Sequence, residues 1–225
     1  MKMILLSRYS LVFLIYDLLK STQDFYPWLL DHLLTHLLDL EYDGDEHEFT
    51  DEERAKVVII NNHMYRHHVV RVNYTTYDNR REQDTINPRT WPNIMMLSSE
   101  DGEDGHPYWY AHVLEIFHAS VLHVSPQSKS LQPQWMEFML VRWFGRDMTK
   151  LGGWKSQQLH RIGFVSGDST PFGFMDPARI VRAVHLIPAF AHLETTGLLG
   201  PSQIARPYVV DGDDHSDWRY YYVAM

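Results

Sequence analysis

The stretches YWYAHVLEIFHASVLHV (Tyr108–Val124) and WMEFMLVRWF (Trp135–Phe144) decide the fold. Both are rich in aromatic and β-branched residues, the types that suit a pleated surface. Read with a period of two, Phe138, Leu140, Arg142 and Phe144 share one face of the second stretch. Glu137, Met139, Val141 and Trp143 share the other. The first stretch is long enough to bend, and a bend is expected near His118–Ser120. The loop Ser125–Pro133 between them is short and polar, which predicts neighbouring antiparallel strands.

Outward from this pair, strand signals continue. Val69–Tyr77, Ile94–Leu97, Arg161–Val165 and Ile180–Ile187 are further candidates, the last two separated by the Gly/Pro-rich run Gly167–Pro177. Trp218–Val223 reads as a last strand or an ordered tail. Asp78–Pro92 is polar, carries Pro88 and Pro92, and reads as a long ordered loop in which Arg80, Arg81 and Arg89 pair with Asp78, Glu82 and Asp84. Ser98–Gly105 reads as a turn or mobile loop.

Toward the N-terminus the period changes. Asp24–Leu40 predicts a helix, with Asp24 as N-cap and Pro27 in the first turn. Leu29, Leu30, Leu33, Leu34, Leu37 and Leu38 form its apolar half. Asp31, His32, Thr35, His36 and Asp39 form the other half, expected to face solvent. Thr50 and Glu53 make a capping-box pattern that opens a second helix toward Ile60, ended by Asn61 and Asn62. The apolar run Leu11–Tyr16 follows Lys2 and Arg8 but is far shorter than the roughly 20 residues of a spanning helix. It reads as a helix buried against protein, with a membrane-surface helix as the alternative. The division is a helical region over 1–62, a β-rich region over 63–192 and an extension over 193–225, an α+β layout.

The totals exclude several functions. No cysteine is present among the 225 residues, so there is no disulfide framework, thiol nucleophile or thiolate zinc site. This suits an intracellular protein. The net charge of −9 gives no general attraction to nucleic acid. No Gly-x-Ser-x-Gly elbow occurs, and Gly152-Gly153 precedes Trp154 rather than a phosphate-loop Lys. No cofactor motif is found.

Four constellations invite chemistry. His32 and His36 stand four apart with Asp39 nearby, a spacing that can bring two imidazoles to one ion, but Leu33 replaces the glutamate a metalloprotease needs. Asp43, Asp45 and His47 start like a calcium loop, yet Arg54 stands where the closing glutamate belongs. Solvated faces are the expectation for both, with a metal-dependent enzyme the least favoured function. Arg66, Arg71, Arg80, Arg81 and Arg89, interleaved with Tyr65, Tyr74 and Tyr77, are the candidate nucleic-acid surface. Tyr108, Trp109, Tyr110 and Trp143, with Glu115 or Glu137 beside them, are the candidate cage for a methylated lysine.

The run NYTTYDNRREQDTINPRTWPNIMMLS (Asn73–Ser98), followed by HPYWYAHVLEIFHASVLHV, MEFMLVRWFGR, IGFV and FGFMDPARIVRAVHLIPAFAH (within His106–His192), resembles a segment of proteins encoded by fungal Plavaka-type transposons of the CACTA group. The likeness runs from about Phe25 to His192. The catalytic region of those proteins lies upstream of this segment, so the resemblance implies no transposase activity. Within it, YWYAHVLEIFH followed by MEFMLVRWFGR resembles a bromo-adjacent homology (BAH) module, a small SH3-like β-barrel of chromatin proteins. The resemblance implies N-terminal helices packed on such a barrel. It also implies a non-catalytic binding module in the nucleus, whose partner is a histone tail or a transposase subunit.

Overall fold

The computed structural model describes residues 4–6, 9–10, 25–40, 47–98, 106–126, 128–150, 152–153, 156–166, 171–199, 202, 205 and 216–224. Its α-helices among the described residues are α1 (Phe25–Leu38) and α2 (Asp51–Arg54), with 3-10 turns at Pro177–Arg179 and Phe190–His192. Its strands begin with β1 (Ile4–Leu6), β2 (Tyr9–Ser10), β3 (Val57–His67), β4 (Val69–Thr75), β5 (Arg81–Ile86) and β6 (Asn93–Leu97). They continue with β7 (Tyr108–His123), β8 (Gln134–Arg146), β9 (Arg161–Phe164), β10 (Phe172–Met175), β11 (Ile180–Ala183) and β12 (His185–Pro188). The last are β13 (Glu194–Thr195), β14 (Asp217–Trp218) and β15 (Tyr221–Ala224). The expected helix over Leu11–Tyr16, the Asp24 cap, and Asp43 and Asp45 of the acidic loop lie outside the described residues.

The long pair β7–β8 is antiparallel, as its loop predicts, with Tyr110 opposite Phe144 and Val121 opposite Gln134. The irregularity in β7 falls earlier than the expected bend. Val113 stands opposite Val141 and Glu115 opposite Leu140, so Leu114 is an extra residue. This bulge lets Val113 and Ile116 enter the same core cluster although they are an odd number apart. The other edge of β7 is shared by β6 and β3, and the other edge of β8 by β9 and β10.

Among the described residues, the resulting ten-stranded sheet is not closed into a barrel. Its path runs β11-β6-β7-β8-β9-β15-β12, and β2, β3 and β10 join from the side. The end strands β11 and β12 are joined in the chain by Val184 alone, whose N–H bonds the Asn93 carbonyl at 2.9 Å. Closure is not needed to bury apolar surface, because both faces are covered. The sheet β1-β4-β5 places Val70, Val72 and Ile86 against Ala111, Val113, Ile116, Met139 and Val141 on one face. Helix α1 places Phe25, Leu29, Leu33 and Leu37 against Phe117, Phe138, Leu140 and Phe174 on the other. The architecture is α+β in three layers.

Three local expectations fail. The capping box forms, with Glu53 N–H donating to Thr50 Oγ1 and Thr50 N–H donating to the Glu53 carboxylate at 2.9 Å. The helix it opens nonetheless ends at Arg54, and Val57–His67 is a strand paired with β7. The run Val57–Ile60 is wholly β-branched, and a sheet neighbour decides such a run. Arg81–Ile86, read as loop, is β5, the terminal strand of the small sheet. Only Ile86 in it is buried, and charged side chains are usual on such an edge. The polar half of α1 is only partly solvated: Asp31, His32 and Thr35 are buried, His36 is half-buried and Asp39 is exposed. The Asp31 carboxylate accepts two N–H bonds from Arg54 at 2.7 Å each, and His32 packs on the Phe174 ring. No helix among the described residues is long and apolar enough to cross a membrane.

Candidate functional site

The covering sheet reaches along β7 and β8 only to Ile116 and Met139. Beyond them the same sheet face carries three stacked rings across three strands. Tyr65 of β3 stands in register with His118 of β7, and the rings lie 4.7 Å apart and 9° from parallel. His118 in turn stacks on Trp135 of β8 at 3.7 Å. His118 is buried, while Trp135 is 54 % exposed. The indole N–H donates to Glu137 Oε1 at 3.2 Å, which places a carboxylate at the ring edge. From below, His67 Nε2 lies 2.5 Å from His118 Nδ1. Val58, exposed, stands opposite Leu122 farther along the same strands. An indole backed by a buried imidazole, with an acid beside it, is suited to a cationic side chain.

Of the expected cage residues, only Glu137 joins this platform. Alternation sends the four rings to opposite faces. Trp109 and Trp143 meet edge to face at 6.3 Å and pack on the cluster under the small sheet. Tyr108 and Tyr110 pack on the other side with Phe144, Ile162 and Phe164. Tyr110 is buried, and loss of water, then the neighbouring Tyr108, raises its phenol to about 12. Glu115 is buried and holds the Arg66 guanidinium. Burial pushes its carboxyl above the usual range against the pull of Arg66.

The expected basic surface is dispersed. Arg66 is bound to Glu115, Arg71 is half-buried in β4, and Arg80 pairs with Asp78 at 3.0 Å. Arg81 opens β5, and Arg89 lies in the turn after it with its N–H on Asn87 Oδ1. Asp84 is taken by Arg182 at 3.3 Å and by the Ala183 N–H, and Glu82 by the Tyr74 hydroxyl. His32 and His36 have ring centroids 5.0 Å apart, and His36 approaches Asp176 at 4.0 Å. Among the described residues, no group of three or more His, Asp or Glu is placed to hold a metal ion.

Sequence reasoning missed Trp135 and His118, and it placed Tyr65 with the basic surface instead. The signal for Trp135 was present, since it stands two residues before Glu137 on one strand face. Nothing local aligned Tyr65 and His118 with it. Comparison with protein-family models, with curated proteins and with solved structures finds no match.

Proposed function

We propose that this chain is a non-catalytic binding module, belonging to or left by a Plavaka-type transposable element, that holds a basic protein segment such as a histone tail or a transposase subunit. The observation that carries this reading is the half-exposed Trp135 ring, fixed from behind by His118 and edged by Glu137. A lysine, methyllysine or arginine over that ring gains roughly 0.5–2 kcal/mol, and the carboxylate adds Coulomb attraction. The net charge of −9 favours basic partners over nucleic acid. The BAH relationship belongs to the same proposal, with the β7–β8 pair as the segment that resembles it. A chromatin partner would place the protein in the nucleus.

Titration with methylated and unmethylated histone-tail peptides tests the reading. Binding is expected, weakened about 2- to 30-fold by Trp135→Ala. Glu137→Gln is expected to slow association and flatten its salt dependence. Absence of binding below millimolar peptide, or affinity unchanged in Trp135→Ala, overturns it.

A further inference from the structure

On the sheet face opposite the platform, His112 of β7 and Arg142 of β8 are cross-strand partners. They line a cavity of about 210 Å³ with Asn93, Asp217, Phe164 and Tyr221. Arg142 is 2 % exposed, and its guanidinium lies over the Phe164 ring at 3.7 Å. One of its N–H groups donates to Asp217 Oδ2 at 2.9 Å, whereas Nε is buried with no hydrogen-bond partner among the described residues. A guanidinium has five donors, so this one lacks an acceptor. His112 Nδ1 lies 2.9 Å from Asn93 Oδ1, which accepts only. Nδ1 therefore carries the proton, and Nε2 is the remaining acceptor of the neutral ring. Burial, then the charge of Arg142, keeps the ring in that neutral form.

We propose that this cavity binds a small flat lactam or cis-amide, its carbonyl accepting from Arg142 Nε and its adjacent N–H donating to His112. The reasons are chemical. Arg142 and Asp217 cancel in charge, so a neutral ligand adds no uncompensated ion. Donor and acceptor stand on neighbouring strands as a directly opposed pair, about 5 Å apart at the backbone, and both residues line the cavity. Tyr221, Leu114 and Leu186 line the apolar side, while the Phe164 ring is covered by Arg142 and Phe144 and presents its edge. The site is independent of the Trp135 platform and shares no residue with it.

Saturation-transfer NMR with uracil as the probe tests the proposal, with 1,3-dimethyluracil as the control that lacks the N–H. Uracil is expected to bind and the dimethyl compound not to. His112→Phe removes the acceptor and is expected to weaken uracil about tenfold. Leu186→Trp fills the cavity from its apolar side and is expected to abolish binding. Circular dichroism verifies that both variants are folded, and the two-probe comparison on the unaltered protein needs neither. No transfer from uracil at millimolar concentration, which is the result if the cavity holds water only, overturns the proposal. So does equal binding of the two probes, or affinity retained in both folded variants.

Discussion

Phe174→Ala is expected to cost about 3–5 kcal/mol of stability, the usual range for deleting a fully buried ring. Phe174 has no exposed surface. Its ring meets Phe25 at 5.2 Å, His32 at 5.8 Å and Phe138 at 6.0 Å. It is therefore the piece of β10 that fastens α1 to the main sheet, and its removal opens a hole between Phe25 and His32 of the helix and Phe138 of β8. Urea denaturation measures the change. Trp135→Ala, at a half-exposed position, is the control and should cost no more than about 1 kcal/mol. A loss for Phe174→Ala as small as the control's would mean that α1 is not anchored through this ring.

Acid is expected to destabilise the protein through His112. Its ordinary pKa of 6.5 falls to about 4 in the fold, first through burial and then through Arg142, with Asp217 pulling weakly the other way. Below about pH 6.5 the unfolded chain takes up a proton that the folded ring refuses. The stability this residue contributes is thus complete above that pH. It drains away as pH falls toward 4, at about 1.4 kcal/mol per pH unit and roughly 3 kcal/mol in all. His123 and His160 are also lowered, each first by burial, and act in the same direction. Denaturant unfolding at about pH 7 and about pH 5 should show the loss, and His112→Phe should make the slope markedly shallower. Equal slopes in the two proteins would show that His112 titrates normally in the fold. The same measurement bears on the lactam site, since only a neutral imidazole offers an acceptor there.

Local pattern carried much of the architecture. The leucine face of α1, the Thr50–Glu53 cap and the β7–β8 pairing were legible because each rests on neighbours in sequence or on one short loop. The polar face of α1 was misread for a definite reason. Amphipathicity tells which side prefers water, but Arg54, 23 residues on, returns to bond Asp31 and permits its burial. The capping box was read correctly and its helix was not. A cap stabilises a first turn, whereas pairing with β7 determined what followed it.

The same division holds for the functional sites. The period of two determined that Trp135 and Glu137 share a face, and that Tyr108 and Tyr110 part from Trp109. Composition determined the absence of thiol chemistry and the acidic net charge. Only the tertiary structure decided that the small sheet stops at Ile116 and Met139, leaving Trp135 exposed, and that Tyr65 and His118 come to lie beneath it. Only it brought Asp217, 75 residues away, to Arg142. The physical reason is that alternation relates a side chain to its own strand. Register between strands, and which layer covers each face, are set by contacts distant in sequence.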